Sequence, residues 1–388
     1  MKPIPYGRQQ ITQEDIDAVT TALQSDFLTQ GPKIAEFEKK FADYIGAKYA
    51  VAVSNGTAAL HLCTMALQVN EHSVVLTTPI TFAASANCIR YCGGKVEFVD
   101  IDPVTALMDL DKLYDLLKKS PKGKYAGLIP VDFAGYPVNL EKVRKIADEF
   151  GLWIIEDACH APGGYFEDHA GIKQYCGNGN YADLAIFSFH PVKHIATGEG
   201  GMITTNNKEL YDKLLLLRTH GITREADKYT NDSAEVERGG WYMEMQELGY
   251  NYRLSDIQAA LGISQLSRAK ENLDRRNQLA LAYDKAFEGT VIKTIKNDRN
   301  IGHAYHLYII QVEKRKELYD YLKSNNIFAQ VHYIPVHLMP YYKNLGWNKG
   351  DMPNAEKYYE GCLSIPMFPS LSDQEQNFVI EKILNFYK

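Results

Sequence analysis

"KYAVAVSNGTAALHLCTMALQV", Lys48 to Val69, changes character halfway along. Its first part, "KYAVAVSN", is a short apolar run that reads as a buried strand. Its second part, "GTAALHLCTMALQV", reads as a helix, and Ser54, Asn55, Gly56 and Thr57 join the two. Working outward from this stretch, the same alternation continues through "SVVLTTP", "TFAASANCIRYC", "KVEFVDID" and "AGLIPVDFAG". "NLEKVRKIADEFG" places Leu140, Val143, Ile146 and Phe150 on one helical face, with Asn139 as cap and Gly151 as stop. "LWIIEDAC", "ADLAIFSF" and "GMITTNN" are three further strands, apolar nearly throughout, as strands covered on both faces should be. The pattern predicts an α/β domain with a mostly parallel sheet.

Between His220 and Tyr250 the alternation gives way to a polar, aromatic-dotted segment, too long for a passive connection and of a length that usually carries function. A long, broken helix from Ser255 follows it. The rest, with "HAYHLYIIQV" as a strand, "KRKELYDYLKSNN" as a helix, an extended "IFAQVHYIPVH" and a last helix "SDQEQNFVIEKILNFY", predicts a smaller C-terminal α+β domain. We place the boundary so that residues 1–265 form the large domain and 266–388 the small one.

The 388 residues carry 45% hydrophobic and 23% charged side chains, the balance of an ordinary globular protein. The net charge of −6 offers no electrostatic footprint for nucleic acid or an anionic membrane, so an anionic ligand must be held by local geometry. No run is long and apolar enough for a signal peptide or a membrane span, which sets a cytoplasmic location as the expectation. The six cysteines form no CxxC pair and read as reduced and mostly buried.

Three segments carry chemistry. The Ser54–Thr57 turn brings glycine and the free N–H groups of a helix start to one place, as a phosphate requires; a plain strand-to-helix turn would look the same. It lacks the Walker lysine and the GxGxxG spacing. "IIEDACHAPGG" ends an apolar strand on Glu156 and Asp157, and a carboxylate there needs a cationic partner such as a protonated heterocyclic nitrogen, unless it is simply solvated. "FSFHPVKHIATGEGG" sets Lys193 after another apolar strand, where desolvation frees an amine for Schiff-base chemistry; the bland alternative is a lysine that snorkels to solvent. His190 and His194 are four apart, but Pro191 breaks the helix an HxxxH metal site needs, and no metal is expected. The order of the three segments says more than any one of them. Pyridoxal phosphate needs an anion site, a carboxylate for its ring nitrogen and an amine for its aldehyde.

"SNGTAAL", "TPITFAASAN", "IIEDACHAPGG", "FSFHPVKHIATGEGGM", "RTHGI" and "LGYNYRLSDIQAALG", in this order, resemble the sugar-nucleotide aminotransferases of the DegT/DnrJ/EryC1/StrS family. The resemblance implies the type I pyridoxal-phosphate transferase fold, like aspartate aminotransferase. That is a large domain with a mostly parallel seven-stranded sheet and a smaller α+β domain, working as a homodimer with active sites at the subunit interface. It implies pyridoxal 5'-phosphate as cofactor, Lys193 as the Schiff-base lysine and proton carrier, and Asp157 as partner of the ring nitrogen. Phe82 matches the aromatic ring stacked on the cofactor, and His160 a side chain on its other face or at its hydroxyl. Gly56, Thr57 and Ser188 match phosphate contacts, and Asn251 an asparagine that reaches the phosphate from the neighbouring subunit.

Within the family, "IPYGRQQITQEDIDAV", "SDFLTQGPK", "WYMEMQELGYNYRLSDIQAALG" and "AQVHYIPVH" resemble the members of pseudaminic acid biosynthesis. Those aminate C4 of a UDP-linked 4-keto-6-deoxy N-acetyl sugar at the expense of L-glutamate. That resemblance implies sugar-nucleotide contacts from Tyr6, from Asp26, Phe27, Leu28 and Thr29, and from Gln330, Val331, His332 and Tyr333. "SNGTAAL" departs from the "NSATSAL"-like residues frequent in that subgroup. Three other readings stand beside it. One is an aminotransferase for a different keto sugar, dTDP-linked or ketonic at C3. Another is a dehydratase, which would carry histidine in place of Lys193. The third is a non-catalytic sensor on the same fold, which should have lost Asp157 or Lys193.

Overall fold

A computed structural model describes residues 2–232, 237–295, 298 and 300–388; residues 233–236 of the long polar segment lie outside the described residues. Seven strands form the central sheet: β1 (Tyr49–Val53), β2 (Val74–Thr77), β3 (Lys95–Phe98), β4 (Gly127–Ile129), β5 (Trp153–Asp157), β6 (Leu184–Ser188) and β7 (Gly201–Thr205), in the spatial order β1-β7-β6-β5-β4-β2-β3. All are parallel except β7, which runs antiparallel between β1 and β6. Helices make the crossovers from β1 to β2, β2 to β3, β3 to β4 and β4 to β5, whereas β5 reaches β6 through the short hairpin Tyr165–Glu167 and Lys173–Tyr175. The apolar faces of these helices close the core on residues such as Val51, Leu76, Leu128, Ile154 and Ile186, all fully buried.

Local sequence explains the element ends. The Asn55 side chain accepts the Ala58 N–H at 2.8 Å and opens the helix Gly56–Ala66. Asn139 caps Leu140–Phe150 through the Lys142 N–H, and Gly151 ends that helix in the left-handed region, as its sequence predicts. The long helix after Ser255 is two, Asp256–Ser267 and Ala269–Phe287.

Beyond Ala269 a three-stranded antiparallel sheet, Lys293–Thr294, Tyr308–Gln311 and Cys362–Ile365, packs with Arg315–Ser324 and Asp373–Phe386 around a second core of Leu318, Ile310, Leu363 and Val379. The N-terminal strand Ile4–Pro5 pairs in parallel with Ile327–Phe328, and Ile4 is buried in this second core. The six cysteines are free, and four of them are buried. Among the described residues no helix is long and apolar enough to cross a membrane.

One junction sets the two cores against each other. The turn Phe133–Gly135 after β4 accepts backbone bonds from Ala304 (to Gly135 O, 2.7 Å) and Leu307 (to Ala134 O, 3.1 Å). Gly135 has φ +96°, and a Cβ there would lie 2.8 Å from both the His160 carbonyl oxygen and the Tyr305 nitrogen. Both the left-handed backbone and the contact exclude a side chain. Gly135→Ala should therefore lower the unfolding free energy by roughly 1–3 kcal/mol, measured by urea denaturation.

Candidate active site

A cavity of about 610 Å³ opens where β1, β5 and β6 end, and each of these strands delivers one chemical group to it. Ligand sites at the carboxyl ends of parallel strands are general for open α/β sheets. Of the residues singled out by sequence, Tyr6, Asn55, Gly56, Thr57, Phe82, Asp157, His160, Ser188, His190, Lys193, His332 and Tyr333 line it.

The anion cradle lies at the end of β1. Gly56 and Thr57 begin a helix, so their N–H groups have no partner within it. Ser188, at the end of β6, closes the cradle: a Cβ on Gly56 would come to 3.0 Å from the Ser188 Cβ. The space left by that hydrogen atom, two bare N–H groups and the hydroxyls of Thr57 and Ser188 fit a phosphate.

Asp157 ends β5 and is buried, its carboxylate fixed from two sides. Ser85 Oγ donates to Oδ2 at 2.6 Å and the Cys159 N–H donates to Oδ1 at 3.2 Å. Thr81 Oγ1 lies 2.8 Å from Ser85 Oγ and extends the chain. A carboxylate so held, facing the cavity, suits a protonated ring nitrogen.

The Lys193 amine is held below its usual range by desolvation, which the nearby Cys159 and Asp157 partly oppose. Its Nζ lies 3.5 Å from His306 Nε2. An anion cradle, a fixed carboxylate and a desolvated amine in one cavity fit pyridoxal phosphate.

Histidines and aromatics form one wall. His160 Nδ1 accepts the Ala134 N–H at 3.2 Å, so the ring proton sits on Nε2, which faces Tyr333 Oη at 3.4 Å. Burial first, then the charge of Lys193, keeps His160 neutral. His332 is bonded to Ser364 Oγ at 2.8 Å, and burial pushes it down to about 3. Phe82 is 62% exposed at the mouth, its ring 6.3 Å from that of Tyr333. His190 and His194 do not converge: His190 is exposed, while the buried His194 donates from Nε2 to the Ala304 carbonyl.

The remaining sequence candidates lie outside this cavity. Asp26, Phe27, Leu28 and Thr29 are exposed, tied down by the Asp256 N–H on the Leu28 carbonyl and by a bridge from Thr29 to Ser255. Asn251 is exposed and bridges Thr219, whereas the adjacent Tyr252 lines the cavity. Gln330 is held by its backbone to Ser364, and Val331 is half-buried against the core.

Sequence reasoning missed Ser85, Cys159, Tyr252 and His306. Ser85 had a signal, since it follows Phe82 by one helical turn in "TPITFAASAN". Cys159, two residues after Asp157, and Tyr252, next to Asn251, lie inside segments already singled out, whereas His306 reaches the site only through the packing of a distant segment.

Behind Asp157 lies a second acidic group. Asp132 Oδ1 accepts the Val138 N–H at 2.8 Å and Glu156 Oε2 the Gly177 N–H at 2.9 Å, but Asp132 Oδ2 and Glu156 Oε1 are buried with no donor. A carboxylate oxygen from each of Asp132 and Glu156 and the Cys176 Sγ lie within 4.8 Å of one another. Burial raises all three, Asp132 to about 7, so a carboxyl proton can supply the bond two carboxylates could not make. Groups raised above their unfolded values stabilise the fold fully below the unfolded carboxyl range, and that contribution is lost as pH rises through the folded value. In Glu156→Gln the amide takes over the donor role at every pH. The variant should lose less stability than the wild type between about pH 4 and 7, read from urea midpoints across that range.

The family model described as "DegT/DnrJ/EryC1/StrS aminotransferase family" matches residues 9–384. The chain is 39% identical over 388 residues to the UDP-4-amino-4,6-dideoxy-N-acetyl-beta-L-altrosamine transaminase of Campylobacter jejuni, covering 98% of this chain and 97% of that protein. It is 38% identical over 397 residues to the spore coat polysaccharide biosynthesis protein SpsC of Bacillus subtilis, covering 99% and 97%. Among solved structures, the PLP form of the putative sugar aminotransferase Spr1654 from Streptococcus pneumoniae superposes with a TM-score of 0.87 at 29% identity, over 98% of this chain and 97% of that one.

Proposed function

We propose, from the premise that this chain belongs to the DegT/DnrJ/EryC1/StrS aminotransferase family and is a pyridoxal-phosphate-dependent sugar aminotransferase, that it transfers the amino group of L-glutamate to C4 of a UDP-linked 4-keto-6-deoxy-N-acetylhexosamine, a step toward pseudaminic acid. The observation that carries the chemistry is the convergence of the Gly56–Ser188 cradle, Asp157 and Lys193 on one cavity from the ends of three strands. The substrate rests on the transaminase relative and on the "SDFLTQGPK" and "AQVHYIPVH" segments.

When bound, pyridoxal phosphate supplies an electron sink for the carbon that loses a proton and carries the amino group between the two half-reactions. The chain's residues do the rest. Gly56, Thr57 and Ser188 hold the phosphate. Asp157, oriented by Ser85 and Cys159, keeps the proton on the ring nitrogen and so sustains the positive charge that draws electrons inward. Lys193 supplies the amine that binds the aldehyde. Once free, Nζ takes the α-proton of glutamate; in the second half-reaction it returns a proton to C4 of the sugar. Phe82 and His160 confine the ring, and Tyr6, His332 and Tyr333 face the sugar.

The enzyme works as a homodimer, and Asn251 with the Asp26–Thr29 segment serves the partner's cavity. Two facts support this reading. In an extended segment neighbouring side chains point oppositely, so Tyr252 faces its own cavity and Asn251 faces away. Phe27 and Leu28 are about half exposed, on a segment tied to Ser255 and Asp256 a few residues after Asn251.

A second reading, another nucleotide-linked keto sugar, dTDP-linked or ketonic at C3, keeps every role above. The 38% identity to SpsC, named for spore coat polysaccharide biosynthesis, supports this second reading. Both Lys193 and Asp157 are present, against a non-catalytic sensor.

The purified protein should absorb in the visible, and Lys193→Ala should remove both that band and turnover; an active Lys193→Ala protein overturns the mechanism. Glutamate offered with a panel of UDP- and dTDP-linked keto sugars, and the product identified by NMR, decides the substrate. Mixed Lys193→Ala and Asn251→Ala chains should recover activity in heterodimers, and no recovery would return Asn251 to its own subunit.

A further inference from the structure

His306 belongs to "HAYHLYIIQV", outside every segment that names the site in sequence, yet its ring is inside the cavity. The residue is 5% exposed. Its Nε2 lies 3.5 Å from Lys193 Nζ, the only hydrogen bond of that amine among the described residues. Its other nitrogen, Nδ1, is buried and unpartnered. The neighbouring buried His194 also leaves its Nδ1 unpartnered, but it spends Nε2 on the backbone carbonyl of Ala304, whereas His306 turns Nε2 to the lysine. Among the described residues the one polar partner of the His306 ring is the lysine.

The backbone around it is built to hold that ring still. Ala304 and Leu307 are bonded to the Phe133–Gly135 turn on one side. On the other, the fully buried Arg276 sends Nη1 to the carbonyls of Tyr305 (3.0 Å), His306 (3.3 Å) and Met367 (3.0 Å). Among the described residues Arg276 has no carboxylate partner, and an arginine so buried is a costly way to fix three carbonyls. The ring packs against those of His160, with centroids 4.3 Å apart, and His194, at 5.7 Å. Burial and the Lys193 charge both oppose its protonation, so the ring stays neutral. A neutral imidazole with its proton on Nδ1 presents a lone pair at Nε2.

We propose that His306 is the positioning residue of Lys193: its Nε2 accepts one N–H of the amine and so turns the nitrogen lone pair toward the cavity. A free lysine amine rotates about its Cε–Nζ bond, and only some of its rotamers aim the lone pair at a reacting carbon. Anchoring one N–H selects such a rotamer each time the amine is released. Misplacing a reacting group by about 1 Å costs on the order of 10²-fold. The inference rests on the reading of Lys193 as the amine that binds the aldehyde.

The test compares two amides. Glutamine at 306 carries a carbonyl oxygen out to the Nε2 position, whereas asparagine stops at the Nδ1 position and leaves Nζ without an acceptor. Full-length apo-protein is mixed with pyridoxal phosphate, and the rate of covalent attachment at Lys193 is followed by absorbance, with borohydride trapping and peptide mass spectrometry. His306→Asn should attach at least tenfold more slowly, and its kcat should fall by about 10²-fold with the KM for glutamate within twofold. His306→Gln should recover most of both. Should His306→Asn fold poorly by circular dichroism, His306→Leu, which fills the volume without an acceptor, takes its place with the same expectation. Acceptor-less variants that attach and turn over like the wild type overturn the assignment, as do glutamine and asparagine variants equally impaired. A wild-type protein that attaches nothing at Lys193 sinks the reading of Lys193 itself, a result distinct from either.

Discussion

The close passage of β7 beneath the turn that ends β1 is the constraint on which the site depends. A Cβ at Gly201 would lie 2.6 Å from the carbonyl carbon and oxygen of Asn55 and 2.9 Å from the nitrogen of Gly56. Glycine permits that contact, and Gly201 pairs with Val53 on one side and Ser188 on the other. The antiparallel strand thus sets the carboxyl ends of β1 and β6 a fixed two-strand distance apart. With the spacing set, the first-turn N–H groups of Gly56 and Thr57 and the hydroxyl of Ser188 meet across one gap. β5 lies beside β6, with Asp157 opposite Ile186, which brings the carboxylate to the same rim. A bulkier residue at 201 would push the cradle apart before it disturbed any group that does chemistry.

Charge around the cavity follows from burial more than from ion pairing. His160, His306 and His332 are neutral because the protein removes their water and places Lys193 nearby. Asp132 and Glu156 are pressed toward their acid forms by the same desolvation. Asp157 sits among them with two donors of its own, from Ser85 and Cys159. The wall therefore offers neutral rings for shape, and the carboxylate and amine stand out as its poles. In such an environment each remaining charge acts over a longer range than it would in water.

The sheet was legible because strands covered on both faces must be apolar nearly throughout, and "LWIIEDAC" and "ADLAIFSF" are. Lys193 and Asp157 were legible for the complementary reason, since an ionisable group ending such a run demands an explanation. Ser85 was half legible: its position one turn after Phe82 is in the sequence, but its bond to Asp157 spans 72 residues. His306 was not, because its segment alternates as an ordinary strand and nothing local separates a lining histidine from a core one. The N-terminal strand was also hidden, as its partner Ile327 lies at the other end of the chain. Asp26–Thr29 and Asn251 show the limit from the other side: their exposure in the folded chain carries no sequence signature.

By itself the sequence determined the order of elements, the helix cap at Asn139, and the three groups that pyridoxal phosphate needs. These depend on neighbours a few residues away, where side-chain size and polarity act directly. Tertiary structure alone decided which groups touch. It put Ser85 on Asp157, His306 on Lys193, and Arg276 behind the carbonyls that carry His306. Those contacts join segments separated by tens to hundreds of residues, and they exist only after two cores have closed around them. Local propensity does not encode the meeting point; the packing of the Phe133–Gly135 turn against residues 304–307 creates it.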